Sequence, residues 1–195
     1  MTVNNIKLKC DRCSGNLSGQ NNSAVFFCLV CGRGCDVSGE SKICYELKYA
    51  QPEKEHELQM EYFPFWHLIC DFTIENTSDN TRLEGGDDFL IPAFFIKNIN
   101  YFGDIGLFYR QKEVTPHFGE KLEIGVFPAD RGVNYALKYP YIYLMKEYSR
   151  TVGAEFLNIE VVKKEAELVL VPFYKKDHAY FDSILFWKYP SGALI

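Results

Sequence analysis

The chain has 195 residues, of which 47% are hydrophobic and 16% aromatic, and its formal net charge is −5. This length favours one domain, or one domain with a small module, and the aromatic residues are numerous enough to fill a core. The acidic excess lies after residue 50, so neither half carries the basic surface expected of a protein that binds duplex nucleic acid. No apolar run approaches the roughly 18 residues of a membrane span, so we expect no membrane as a partner.

The N-terminal segment predicts a metal site. Residues 1–5 have neither the basic nor the apolar region of a secretory signal, so we expect a reducing compartment, where Cys-x-x-Cys pairs bind metals in preference to forming disulfides. Cys10 and Cys13 form one pair, and Cys28 and Cys31 form another. Two intervening residues let one tight turn present both thiolates to the same ion. We therefore predict that these four cysteines bind one metal ion.

Residues 7–37 resemble the zinc-ribbon superfamily through Cys10-Asp11-Arg12-Cys13 and Cys28-Leu29-Val30-Cys31-Gly32. The resemblance implies one structural zinc ion on rubredoxin-like knuckles, with iron as the less favoured alternative because rubredoxins hold iron on similar turns. It covers about a fifth of the chain. It specifies no function, because the superfamily includes transcription factors, polymerase subunits and enzymes that use the ribbon only as a brace. Gly32 and Gly15, close to the two pairs, are small residues that let the backbone donate N–H groups to sulfur.

Three further cysteines lie outside these pairs. Cys70 falls on the apolar side of a predicted strand, which favours a buried structural thiol. Cys35 and Cys44 have no Cys-x-x-Cys partner. We expect both to be structural thiols, with Cys35 as an alternative metal ligand. A reduced thiol set and the missing signal together predict a cytoplasmic location.

The first third of the chain predicts a small module and a linker. Residues 18–23 are a turn, and Ala24 to Phe27 form a short strand that leads into the second cysteine pair. Residues 46–56 are charged and contain Pro52, which predicts a linker of about 11 residues. Because such a linker is short and has no Gly or Ser run, we expect the module to pack against the rest of the chain. Alternation places some of the apolar residues of one short stretch at that contact, and their burial within the ribbon itself or at a homodimer contact is the alternative. These residues are Val25, Phe26, Phe27, Leu29 and Val30.

The middle of the chain predicts strands separated by loops. Leu58 to Ile74 alternates between apolar and polar residues, which indicates a strand interrupted near Pro64. Residues 76–88 are rich in Asn, Thr, Asp and Gly and predict a loop. Leu90 to Phe95 is an apolar run broken by Pro92, and residues 97–102 could form one helical turn.

The following segment predicts a strand and a helix. Leu122 to Phe127 reads as a strand. Asp130 is a candidate N-cap for a helix that Pro140 must kink or restart, and Gly153 is a candidate C′ residue. Alternation of tyrosines around Pro140 leaves a strand as the competing interpretation. The helical spacing is carried by Val133, Ala136, Leu137, Tyr141, Leu144, Met145, Tyr148 and Val152.

The C-terminal residues predict further strands. Phe156 to Val162 and Leu168 to Tyr174 indicate two strands around a polar turn at residues 163–165, and Ala179 to Trp187 indicates another. Strands and helices are segregated along the chain, which predicts an α+β fold with a mainly antiparallel sheet. We therefore expect a zinc ribbon at residues 1–45 and an aromatic-rich α+β domain at residues 55–195.

Apolar pairs precede a proline and aromatic residues in three places. The prolines are Pro64, Pro92 and Pro172. Strands that each bend or end at a sheet edge explain the pattern, and a duplicated hairpin is the alternative.

Candidate catalytic groups are few. His67 shares a strand face with Asp71, and Asp177-His178 lies near Asp182, so either could supply a base. Such pairs arise readily by chance, and we interpret both as structural or surface contacts. Residues 84–88 lack the ligand spacing of a calcium loop and predict a solvated turn.

Aromatic and basic residues alternate at 107–112 and at 173–176, as they do in platforms that stack single-stranded nucleic acid. The acidic charge of this region favours core aromatics with charged edges. The sequence thus predicts a cytoplasmic, non-enzymatic binding or adaptor protein with a structural zinc site, whose partner is a protein or an apolar ligand. The alternatives are an accessory factor that binds nucleic acid weakly, and an enzyme that uses the ribbon as a scaffold.

Overall fold

The computed structural model of the chain describes residues 9–54, 58–97, 105–151, 153–190 and 192. Residues 98–102 of the predicted helical turn lie outside these ranges. Within them the chain is mostly β-sheet with a few short helices, which is compatible with an α+β or a mainly-β class.

A four-stranded antiparallel sheet adjoins the turns of the cysteine pairs, and its strands are adjacent in chain order. We call it the N-terminal sheet. Its strands are β1 (Leu17–Ser18), β2 (Val25–Cys28), β3 (Gly34–Asp36) and β4 (Ile43–Tyr45). The strand predicted at residues 24–27 is confirmed as β2.

A second sheet of eight strands forms the body of the molecule. Its strands are β5 (Leu47–Ala50), β6 (Met60–Asn76), β7 (Thr81–Pro92), β8 (Phe118–Gly119), β9 (Gly125–Val126), β10 (Leu157–Lys176), β11 (Ala179–Asp182) and β12 (Lys188–Pro190). The long strands β6 and β10 pair antiparallel at its centre. β7 and β9 flank β6, while β5 and β11 flank β10, with β8 beyond β5 and β12 beyond β11. Only the β5–β10 and β6–β9 pairs are parallel among the described strands.

Three helices and a 3₁₀ turn complete the described structure. They are α1 (Ile105–Lys112), α2 (Val133–Ala136), α3 (Tyr139–Tyr148) and the 3₁₀ turn Ala154–Phe156. The predicted restart of the helix at Pro140 is confirmed, because this proline lies in the first turn of α3, where its missing N–H costs no helical hydrogen bond. Asp130 is not the N-cap, which is Gly132. Gly153 is not a C′ residue, because α3 ends at Tyr148 with Ser149 as its cap.

Three segments predicted as linker, loop and turn are strands instead. Residues 47–50 of the predicted linker form β5, and residues 81–88 of the predicted loop form two thirds of β7. Residues 163–165 lie within the continuous strand β10, with a register shift between Lys163 and Glu165 in place of a turn. In each case pairing with a neighbouring strand overrides a polar local composition.

The β6–β10 ladder runs through Pro64 and Pro172, but on the other side of its strand each proline lies where a ladder ends. The carbonyl of Pro64 accepts the Ala93 N–H at 2.9 Å, just past the last β6–β7 pair, so the missing N–H of Pro64 faces a side where the ladder has stopped. The carbonyl of Pro172 similarly accepts the Ser183 N–H beyond the end of the β10–β11 ladder. β6 is therefore continuous through Pro64, and the predicted interruption is wrong.

The N-terminal sheet packs on the second sheet through a shared core. Val25 is fully buried and belongs to the same cluster as Trp66 and Leu168, with Phe27 packed against it. The Val25 N–H also donates to the Ala129 carbonyl at 3.0 Å. The expected packed contact is confirmed for these side chains. It is wrong for Leu29 and Val30, which are 78% and 71% exposed.

The buried carboxylate of Asp36 also joins the N-terminal sheet to the helix α2. Asp36 lies at the end of β3 and is only 3% exposed. Its Oδ2 accepts the Val133 N–H, the first of α2, at 2.6 Å, and its Oδ1 accepts the Ser38 N–H at 2.8 Å. The N-terminal sheet thus supplies the carboxylate that caps α2, the role predicted for Asp130.

Candidate metal centre

Two turns with matching hydrogen bonds hold the four predicted ligands. In the first turn, the Cys10 N–H donates to the Gly15 carbonyl at 2.9 Å and the Ser14 N–H donates to the Cys10 carbonyl at 2.8 Å. In the second, the Cys28 N–H donates to the Arg33 carbonyl and the Gly32 N–H donates to the Cys28 carbonyl. Since both bonds span the same number of residues, the two turns are structurally equivalent knuckles.

Each knuckle closes on a residue with positive φ. Gly32 has φ of 68°, a conformation that glycine adopts without strain. In the first knuckle this conformation falls on Ser14, with φ of 57°, and not on Gly15. Gly15 has a different purpose, because a Cβ atom there would lie 2.7 Å from Val30 Cγ2. Its missing side chain lets the two knuckles approach each other.

The four sulfur atoms converge on one point. All four Sγ atoms lie within 4.8 Å of one another, with Cys10 and Cys31 separated by 3.5 Å and Cys13 and Cys28 by 3.4 Å. Four sulfurs at about 2.3 Å from a tetrahedral ion would be about 3.8 Å apart. The group, called here the four-cysteine cluster, is therefore compact enough to hold one metal ion, and it consists of the four residues that the sequence predicts as ligands.

Backbone N–H groups favour thiolates at two of the ligands. The N–H of Cys13 lowers the pKa of Cys10, and the N–H of Cys31 lowers the pKa of Cys28 to about 6. Burial instead raises the pKa of Cys31 to about 12. Because four adjacent thiolates repel one another, complete ionisation of the cluster requires a cation at its centre.

Ion pairs surround the knuckles. Arg12 and Arg33 both contact the carboxylate of Glu46, at 2.9 and 3.4 Å, and Lys42 contacts Asp11 at 2.6 Å. These pairs are largely exposed at one or both partners, so each contributes little to stability. They connect each knuckle to the chain around β4.

The remaining cysteines differ partly from the prediction. Cys35 and Cys44 form a disulfide, so the expectation of two structural thiols is wrong, and so is the alternative of Cys35 as a metal ligand. The physical reason is register, since β3 and β4 place these residues directly opposite each other. Cys70 is 1% exposed, as predicted, and burial raises its pKa to about 11.

The candidate His–Asp pair on β6 does not form. Asp71 pairs with Lys164 at 2.6 Å. His67 contacts carboxylates on the two neighbouring strands, with Nε2 at 2.8 Å from Asp88 and Nδ1 at 3.1 Å from Glu167. Sequence reasoning missed both partners because neither is near His67 along the chain.

The other candidate groups have structural roles. Asp182 is fully buried, which raises its pKa to about 6. Its carboxylate accepts the Tyr109 hydroxyl at 2.6 Å and the N–H groups of Ile184 and Leu185. Residues 84–88 belong to β7, so the solvated turn predicted there is wrong.

No protein-family model matches the chain, and neither a curated protein nor a solved structure shows significant similarity to it. Over the ranges that the structure describes, every helix is too short or too polar to cross a membrane.

Proposed function

We propose that this chain is a non-enzymatic binding protein whose four-cysteine cluster holds one structural zinc ion. The observation that supports this is the convergence of four sulfurs within 4.8 Å from two equivalent knuckles. Four protein sulfurs complete a tetrahedral shell, which leaves no position for water or substrate, as in structural and not catalytic zinc sites. Borderline-soft zinc suits four thiolates, and iron is the alternative occupant.

Metal analysis of the purified protein tests this proposal. We expect about one zinc per chain in a colourless protein, and loss of the zinc in Cys10→Ser. Cys70→Ala is the matched control, because it removes another buried cysteine but leaves the four-cysteine cluster intact, so its zinc content should be unchanged. Stoichiometric iron in a coloured protein would show that the bound metal is iron and not zinc. The absence of any bound metal after purification without chelators would reject the site.

Exposed apolar side chains at the tip of the second knuckle, Leu29 and Val30, favour a protein as the partner. Leu29 and Val30 are among the most exposed large apolar residues of the described chain, and Ile43 on β4 is 49% exposed. In a pull-down from native lysate, Leu29→Ser/Val30→Ser should lose a partner that the unchanged protein retains. Leu83→Ser, at a 45% exposed apolar residue on β7, is the control that should retain it. A partner retained equally by both variants would exclude the knuckle tip as the contact.

One surface favours the nucleic-acid alternative. Tyr174 stacks on Phe181 with centroids 5.0 Å apart, and the Lys188 ammonium lies 5.9 Å from the Phe181 ring. Lysines beside stacked rings can bind single strands, but the net charge of −5 opposes this. We expect at most weak, salt-sensitive binding to RNA or DNA. A dissociation constant tighter than about 1 μM at physiological salt would make the accessory-factor function the better proposal.

The enzyme alternative has a weaker basis. His67 lines a cleft of about 700 Å³, and both of its ring nitrogens are engaged by carboxylates. A general base needs a free nitrogen within reach of its substrate. This arrangement therefore supports binding in preference to catalysis.

The cytoplasm is the location we propose, because metal binding requires reduced cysteines in the knuckles. The Cys35–Cys44 disulfide counts against a strongly reducing compartment. The protein can be isolated from cytoplasm after its free thiols are alkylated. Its mass would then show whether Cys35 and Cys44 are reduced or disulfide-bonded there.

A further inference from the structure

A cleft of about 700 Å³ lies between β7, α1, the segment before β8 and α3. Its volume falls within the 300–1,000 Å³ range of small-molecule sites. His67 contributes to its lining and keeps only 16% of its side chain exposed. None of the four metal ligands contributes to it, so a ligand in this cleft would be a function beyond the proposed one.

Most charged groups of the cleft neutralise one another. Arg110 on α1 bridges Asp87 on β7 and Glu147 on α3, with its Nη2 at 2.9 Å from the Glu147 carboxylate. His67 pairs with Asp88 at 2.8 Å. These contacts fix the positions of the surrounding elements, and because Arg110 faces two carboxylates the paired groups keep one negative charge in excess.

The lining groups outside these pairs are more basic than acidic. Lys146 and Arg150 line the cleft and form no ion pair with any described residue, and Glu113 is the single such carboxylate. Lys146 lies in the last turn of α3 and Arg150 lies two residues beyond its end, so both line the cleft on the side where this helix ends. Two cations on one side can hold one acidic group.

The remaining lining of the cleft is apolar. Leu90, Val114, Pro116 and Phe118 line the cleft, and Phe118 is 43% exposed. A cleft that is lined by apolar side chains and also by Lys146 and Arg150 suits a molecule that has an acidic group and a hydrocarbon part. We propose that this cleft binds a small organic anion, whose acidic group is held by Lys146 and Arg150 and whose apolar part contacts Val114 and Phe118.

Calorimetric titration with three eight-carbon probes tests the proposal. Octanoate should bind, whereas octanol and octylammonium, which have the same chain without a negative charge, should bind at least about tenfold more weakly. Octyl phosphate as a fourth probe distinguishes a phosphate from a carboxylate site. Backbone amide shifts in the NMR spectrum should locate bound octanoate at residues 114–118 and 146–150.

Charge reversal separates this site from non-specific binding. Lys146→Glu/Arg150→Glu should weaken octanoate binding by at least about tenfold, which corresponds to about 1.4 kcal/mol. Lys138→Glu is the matched control, because Lys138 lies just before α3 and does not line the cleft. Both variants should retain the thermal unfolding of the unchanged protein. Equal binding of octanoate and octylammonium, or an unchanged affinity in the double variant, would overturn the proposal.

Discussion

Replacing Asp36 with alanine tests whether the N-terminal sheet and the second sheet unfold as one unit. The carboxylate accepts N–H groups from Val133 at 2.6 Å and from Ser38 at 2.8 Å. Val133 is only 6% exposed, so its N–H would be left without a partner, which costs about 1–3 kcal/mol. Ser38 is exposed, and its N–H would bond to water instead.

The bond to Val133 is itself the cap of α2, so the loss of the cap adds no separate cost. We therefore expect Asp36→Ala to lower the free energy of unfolding by about 2 kcal/mol, and the midpoint of thermal unfolding by roughly 4–8 °C for a chain of this size. Urea titration of the zinc-saturated protein measures the first quantity. Hydrogen exchange over residues 133–148 should accelerate as well, because this helix pair loses its anchor.

Asp79→Ala is the control for this prediction. Asp79 also accepts two hydrogen bonds, from the N–H and the hydroxyl of Thr81, but it is exposed in the turn between β6 and β7. Its loss should cost less than about 1 kcal/mol, since water replaces the carboxylate. Equal costs for the two variants would show that the Asp36 contact does not couple the sheets.

Three further measurements check other parts of the structure. Ser14→Gly should stabilise the metal-loaded protein by about 0.5–1 kcal/mol in urea unfolding, because glycine adopts the positive φ of this position without strain. The hydrogen bond to Asp88 raises the pKa of His67 in the folded protein. The stability that this histidine contributes is therefore complete below about pH 6.5 and is lost as the pH rises through its folded pKa. His67→Gln should destabilise the protein more at pH 6 than at pH 9, and an equal loss at both would contradict the assignment. Thiol titration of the metal-free, unreduced protein in denaturant should find five thiols, and seven only after reduction of Cys35–Cys44.

The convergence of the four cysteines was predictable because its signal is local. Two residues between cysteines define each knuckle, and the sequence shows this spacing directly for both pairs. The restart of the helix at Pro140 was predictable for the same reason, since a fixed φ and a missing N–H act within one turn.

Features that depend on distant partners were not predictable. The cap of α2 comes from Asp36, which is 97 positions from Val133, so the nearby Asp130 was the only local candidate. Residues 81–88 are polar and contain two glycines, and only the facing residues of β6 make them a strand. The Cys35–Cys44 pair likewise depends on the register of β3 with β4, which neither strand's composition specifies.

The position of β5 determines the order in which the chain can assemble during synthesis. β5 directly follows the N-terminal sheet, yet it pairs with β10, and 119 positions separate the bonded side chains of Lys48 and Glu167. At ribosomal rates of about 5–20 residues per second, β5 waits on the order of ten seconds for its partner strand. The knuckles are complete well before that time. A nascent chain that binds a metal ion at this stage would hold the apolar residues of β2 in a folded sheet. They would stay there until the later core residues that cover Val25 are translated.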